Sequence, residues 1–262
     1  MKQFLIQTTL LIAVLLAAGS CSVKEERSEC PCWLKVFIEP FPHEGAVVSA
    51  YATQQVFSAR VDKESYEGCY EATVPRDLLE VSCHNRPSSM LAKGSLVTIA
   101  RGDQADSLYA HHALVDCTGE EAVDRAKLCK QFATVYMTFE NPGNAKTCPY
   151  DVRISGNVDG MDMASFSPHE GAFEYAPAEI QPLFYQFRIP RQKDSTLSLN
   201  LYSKEDGSFV DSLPLGMYIK ESGFDWQAES LEDIVIKVNF AKIEISVKVS
   251  EWDADKVYEV TI

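Results

Sequence analysis

No apolar run in this sequence is long enough to cross a bilayer. The longest, Leu10 to Ala18, holds nine residues, where a spanning helix needs about 20. Positive charge is scarce as well: 24 Lys and Arg stand against 38 Asp and Glu, a formal net charge of −14. The absence of a basic patch or a long Lys/Arg run argues against nucleic acid as a partner and against electrostatic docking on anionic lipid. The signatures of familiar chemistry are missing too, with no GxSxG elbow, P-loop, HExxH or GxGxxG. No fixed-period repeat is present, so solenoids and propellers drop out. These absences point to a chain that is not an enzyme and that takes no cofactor and no metal.

What is present begins at the N-terminus. Lys2, the apolar run and then the small residues Ala17-Ala18-Gly19-Ser20 have the order of a secretory signal. Cys21 follows at once, and the whole resembles a lipobox, whose Cys is diacylated and exposed by cleavage just before it. Residues 1–20 are therefore expected to be a lipoprotein signal peptide, with Cys21 the lipid-bearing first residue of the mature chain. Several acyl chains on one residue would hold far better than a single myristoyl-like chain. Residues 21–29, with Lys24-Glu25-Glu26-Arg27, form a charged tether that cannot collapse into a core. The Lys followed by two acids looks like the surface-export signal of lipoproteins in Bacteroides-type bacteria.

Setting Cys21 aside leaves seven cysteines, an odd number for an oxidising compartment. Their spacings supply neither paired CxxC zinc ligands nor a thioredoxin-like CxxC. Cys30-Pro31-Cys32 cannot easily bridge to itself, because a disulfide wants Cα atoms about 5.5 Å apart. Two pairings suit local geometry. Cys69 and Cys83 flank the turn at Pro75-Arg76-Asp77 and would face each other across a hairpin. Cys117 and Cys129 flank a helix-like stretch, Gly119 to Leu128. Buried free Cys, packing as a small hydrophobe, is the other reading of any of these.

Elsewhere short alternating runs recur with turn residues between them. Trp33–Glu39, Val47–Ala52, Gln55–Val61, Tyr70–Val74, Leu78–Ser82, Leu96–Ala100 and Tyr109–Asp116 read as one set of strands. Phe132–Phe139, Tyr150–Ile154, Ala172–Tyr175, Leu183–Ile189, Thr196–Leu201, Ser208–Leu213, Ile234–Phe240, Lys242–Val249 and Val257–Ile262 read as a second. Strands every 8–12 residues argue for an all-β fold of antiparallel sandwiches rather than βαβ units. Two domains are expected, 30–129 and 130–262, joined near Leu128–Gln131.

Candidate chemistry is thin. His111 and His112 are neighbours, and neighbours on a strand point to opposite faces, so they cannot easily share one metal ion. Asn157-Val158-Asp159-Gly160-Met161-Asp162 faintly suggests a calcium loop but lacks the Glu and spacing of an EF-hand, so a plain turn is expected. Trp33, Trp226 and Trp252 would be the rings of a sugar-binding platform, although Trp33 at a strand start and Trp252 just before the last strand hold places that favour roles in the core.

Cys30-Pro31-Cys32 opening the first strand behind a lipobox resembles the FimB-like fimbrial anchor subunits of Bacteroidetes. Further along, Phe132-Ala133-Thr134-Val135, Tyr150 to Asn157 with Asp159-Gly160, Leu213-Pro214-Leu215-Gly216-Met217-Tyr218, Asp233-Ile234-Val235-Ile236 and the Trp252 strand are similar to that family's C-terminal half. The resemblance implies two transthyretin-like antiparallel β-sandwiches in tandem, lipid-anchored to the outer membrane. It also implies other fimbrial subunits as partners, joined by an extended strand entering an open edge or groove. Val257, Tyr258, Val260 and Ile262 of the last run are the candidate partner strand, which either closes its own domain or is offered to a neighbour. A surface glycan-binding lipoprotein is the competing expectation.

Overall fold

The computed structural model describes residues 30–140, 146–239 and 244–250, with Val247 the only side chain described in that last stretch. The alternation read from the sequence becomes strand almost throughout. β1 (Cys32–Ile38) buries Cys32, Leu34, Val36 and Ile38 and turns Trp33 outward, the two-residue period of a half-buried strand. It lies between β4 (Tyr70–Val74), antiparallel to it, and β9 (Glu121–Ala126), parallel to it. Facing this three-stranded sheet is a five-stranded antiparallel one. Its strands are β2 (Ala46–Tyr51), β3 (Gln55–Val61), β5 (Leu78–Asn85), β8 (Tyr109–Asp116) and β10 (Cys129–Lys130), in the order β10-β8-β5-β2-β3. Leu34, Val36, Ile38, Val48, Leu79, Val81 and Val115 fill the space between.

A second sandwich follows the same plan. β11 (Phe132–Glu140) lies between antiparallel β15 (Phe184–Pro190) and parallel β18 (Asp233–Asn239). β14 (Glu179–Gln181) and β19 (Glu244–Ser250) complete the sheet β14-β15-β11-β18-β19. Opposite run β17 (Phe209–Leu213), β16 (Ser198–Ser203) and the long β12 (Tyr150–Asp162), which also pairs β13 (Ser167–Tyr175). The fold is thus all-β, with sheets packed face to face.

The structure departs from the sequence reading in four places. The stretch expected as a helix, Glu120–Leu128, is β9. Its Ala122, Asp124 and Ala126 alternate inward against exposed Glu121, Val123 and Arg125, and the Trp33 amide donates to the Glu120 carbonyl at 2.8 Å. Pairing with β1 overrides the helical propensity of the alanines. A short helix, α1 (Leu215–Glu221), escaped the sequence reading and buries Leu215 and Ile219. Asn157–Asp162 is not a turn but the far half of β12, and Gly160 explains why. A Cβ there would stand 2.2 Å from the Val97 carbonyl oxygen, so only glycine lets the neighbouring strand approach. That neighbour is the hairpin of β6 (Met90–Lys93) and β7 (Leu96–Ile99), which lies in the first half of the chain yet pairs with β12 of the second. Val97, Leu108, Ala110, Met161 and Met163 form a small apolar cluster beside that crossing.

The fourth departure concerns the turn at Pro75-Arg76-Asp77. It does not close a hairpin but carries the chain from one sheet to the other, since β4 pairs only with β1 while β5 pairs with β2 and β8. Cys69, just before β4, and Cys83, within β5, therefore do not face each other across a hairpin, and no bond joins them. Cys117 and Cys129 stand at opposite ends of β9 and are not bonded to each other. Six extended residues cover about 20 Å, far beyond the reach of a disulfide.

Candidate subunit-contact surface

Cys21 and the candidate partner strand Val257, Tyr258, Val260 and Ile262 lie outside the described residues. The strand before them is described: β19 runs antiparallel along β18 from the pair Asp233–Ser250 to Asn239–Glu244. It is the outermost described strand of its sheet, and its Val247 is fully buried. The sequence of β19, Glu-Ile-Ser-Val-Lys-Val-Ser, places a polar residue at every second position.

The first sandwich ends differently. β9 is the counterpart of β18, but among the described residues no strand covers its outer side. β9 carries the devices that keep an open edge from pairing indiscriminately. Glu121 and Arg125 sit outward, and Asp124 points its carboxylate into the core, where its Oδ1 lies 3.2 Å from His111 Nε2. The outer face of this sheet is a mixture of apolar and charged groups. Trp33 and Val123 are 44% and 50% exposed, Lys35 pairs with Glu121 at 2.8 Å, and the Arg125 guanidinium lies 4.8 Å over the Phe37 ring.

The candidate titratable groups are engaged structurally. His111 and His112 do point to opposite faces: His111 meets Asp124 inside, and His112 stacks on Phe166 at 5.0 Å and approaches Glu80 at 3.1 Å. Cys83 is the cross-strand partner of His111, but burial, with Asp124 adding to it, pushes its thiol far above the usual range. Cys129 lines a cleft of ≈ 240 Å³ together with His112, Gln131, Arg191 and Glu229. Its thiol is also raised, by burial first and then by the Glu229 carboxylate it donates to at 3.3 Å. A protonated thiol is a poor nucleophile. Arg191, buried in the same cleft, donates from Nε to Gln131 Oε1 at 2.8 Å and from Nη2 to the Ala228 carbonyl at 2.8 Å, and it also bonds the Trp226 carbonyl. It ties the loop after α1 to the junction between the sandwiches. The suggested calcium ligands are likewise paired, Asp159 with His169 Nδ1 at 2.7 Å and Asn157 with Asp194 at 3.0 Å.

Of the three tryptophans, Trp226 packs against the second core and meets Phe224 edge-on at 4.6 Å, Trp33 is exposed, and Trp252 lies outside the described residues. The outer face of the second sandwich adds Tyr202 and Phe209, whose rings stand at 72° to each other, with Arg153 over Tyr202 at 4.5 Å.

These features define a class: an all-β protein of two sandwiches, each with its opening strand held between an antiparallel and a parallel neighbour. No family model and no curated protein sequence matches the chain, but solved structures share its fold. The fimbrial anchor protein Mfa2 from Porphyromonas gingivalis aligns over 88% of this chain and 99% of its own, at TM-score 0.63 and 10% identity. A candidate polysaccharide-binding protein from Bacteroides thetaiotaomicron aligns over 87% and 98%, at TM-score 0.62 and 12% identity. A candidate adhesin from Bacteroides ovatus aligns over 88% and 96%, at TM-score 0.58 and 10% identity. The expected likeness to a fimbrial anchor subunit is met at the level of the fold.

Proposed function

We propose that this chain is a fimbrial anchor or accessory subunit, lipid-anchored at the outer membrane through Cys21, that joins other fimbrial subunits by strand pairing and catalyses no reaction. The observation that carries this reading is the fold shared with a fimbrial anchor protein along nearly the full length of both chains. Two features support it. The last described strand, β19, is the outermost of its sheet and leads toward the alternating run 256–262, the kind of segment that adds to an edge or fills a groove. The thiols of Cys83, Cys117, Cys129 and Cys148 are all raised by burial and the described carboxylate–histidine pairs are structural, which suits a protein that binds rather than transforms.

The glycan-binding alternative needs coplanar exposed rings on one face. Among the described residues Trp33 stands apart from the Tyr202–Phe209 pair, and that pair is edge-to-face. Strand-mediated assembly is therefore preferred. The test is a pull-down from outer membranes with residues 256–262 deleted. Loss of the fimbrial partner with unchanged melting is the expected result, and undiminished capture would refute strand donation. In parallel, Cys21→Ala should move the protein from the membrane to the soluble fraction, and a membrane-retained variant would refute the lipid anchor.

A further inference from the structure

Cys32 is the first residue of β1, the strand through which a pull from the lipid end would enter the fold. Its side chain is fully buried in the first core, as is that of Cys117 just past β8 on the opposite sheet. The two side chains belong to one buried cluster, and Cys32 is the neighbour that acts on the Cys117 thiol. The backbone beside each is fixed: the Trp33 amide donates to Glu120, and the Cys117 amide donates to the Asp77 carbonyl at 2.9 Å. The two side chains, free thiols in this structure, thus share the core between two sheets, far apart in sequence and with the backbone beside each held in place. Burial, reinforced by the neighbouring Cys32, raises the Cys117 thiol to about 12, so Cys117 offers little thiolate once folded, and oxidation belongs to the folding stage.

We infer that Cys32 and Cys117 form an inter-sheet disulfide that clamps the point where the tether enters the fold, so that load passes across the core rather than peeling β1 away. The clamping role rests on the anchor reading above, whereas the bond itself does not. Two successive exchanges make it. One cysteine thiolate attacks the disulfide of a thiol–disulfide oxidant, forming a mixed disulfide and releasing one oxidant thiol. The second cysteine, losing its proton, attacks the mixed disulfide, closing Cys32–Cys117 and releasing the other thiol. The protein loses two hydrogens and two electrons, and the oxidant's disulfide becomes a dithiol. Without the bond, β1 is held by hydrogen bonds that each contribute about 1 kcal/mol net, and these can open in sequence under load. With it, residues 33–116 cannot lengthen the chain.

The experiment refolds the full chain in glutathione redox buffer, alkylates remaining thiols and digests with trypsin. The expected product joins residues 28–35 to residues 102–125 with the loss of two hydrogens. Because the first peptide holds Cys30 as well as Cys32, the link should persist in Cys30→Ala and vanish in Cys32→Ala. In the absence of reductant, the double variant Cys32→Ala/Cys117→Ala should melt about 10 °C below the parent chain, and in reductant the two should differ by only a few degrees. Pulled from residue 21, the oxidised first sandwich should release about 300 Å less contour length than the reduced one, since roughly 85 residues stay locked at about 3.5 Å each. Both cysteines alkylated after oxidative refolding, or a link that follows Cys30, would overturn the bond. A bond without the contour difference would overturn the clamp alone, and a chain found without lipid on Cys21 would overturn the anchor reading while leaving the bond intact.

Discussion

In both sandwiches the opening strand sits between an antiparallel and a parallel neighbour, β4-β1-β9 in the first and β15-β11-β18 in the second. The cores behind these strands are built from different material. The first cluster buries 16 residues, four of them Ala and three Cys, and none aromatic. The second buries 26, among them Phe132, Phe139, Phe173, Phe187 and Phe224. Since aromatic side chains contribute most buried apolar area per residue, the second sandwich is expected to be the more stable half, while the first has its aromatics Phe41, Phe57, Tyr66 and Tyr70 only partly buried against its core. Their edges differ as well. The parallel strand of the second sandwich is covered by β19, whereas that of the first is left open among the described residues and guarded by charge. One plan has thus yielded a half with a larger, aromatic core that carries the last described strand and a lighter half that opens with β1.

The strongest way to break this comparison is to hollow each core in turn. Phe187→Ala should cost about 4 kcal/mol and Leu79→Ala about 3 kcal/mol. Calorimetry should show Leu79→Ala lowering an early transition and Phe187→Ala lowering a later one. If both variants shifted a single transition equally, the halves would be one cooperative unit and the contrast would fail.

Gly160→Ala probes the crossing between halves. The new Cβ would collide with the Val97 carbonyl, costing about 2 kcal/mol and prying the β6–β7 hairpin from β12. Hydrogen exchange should lose protection at residues 90–99 and along β12 while β1 and β5 keep theirs. Unaltered exchange at 90–99 would mean the crossing is not held by this approach.

Acid should sharpen the contrast. His84, buried in β5, donates from Nδ1 to the Asn85 carbonyl at 2.5 Å. Burial holds its pKa below the usual 6.5, with that carbonyl pulling the other way. The unfolded chain therefore takes up the proton first, and stability falls as pH drops through 6.5, levelling off below the folded-state pKa. The slope cannot exceed about 1.4 kcal/mol per pH unit for one proton. Melting of the first transition should fall between pH 7 and 5.5, and His84→Gln should flatten that dependence. An equal slope in the variant would assign it to another group.

Most strands were legible because their alternation is local: β1, β3, β4, β8 and β11 begin and end within a residue or so of where the pattern places them. What failed depends on contacts that sequence spacing does not encode. Glu120-Glu121-Ala122 looks like a helix start until β1 supplies a parallel partner. The turn at Pro75 looks like a hairpin until its two strands enter different sheets. The same assumption of local partners led to the pairings Cys69–Cys83 and Cys117–Cys129, when Cys117 faces Cys32 across the core. α1 is only seven residues long, too short for its period to stand out. The expected lipidation of Cys21 and the strand expected over 256–262 rest on sequence alone, since neither lies among the described residues.

The smallest effect on stability comes from the guarded edge, yet it bears directly on assembly. Asp124 leaves its Oδ2 buried without a hydrogen-bond partner, so the carboxylate is held at some cost in free energy. Replacing a buried polar pair by apolar groups is often neutral or stabilising, and Asp124→Leu combined with His111→Leu should change stability by less than about 1 kcal/mol. It would, however, remove the inward charge that makes β9 an unwelcoming edge. Sedimentation at rising concentration should then show dimers of the double variant where the parent stays monomeric. If the variant stayed monomeric too, the outward Glu121 and Arg125 would suffice as guards, and the inward Asp124 would have no role in keeping β9 unpaired.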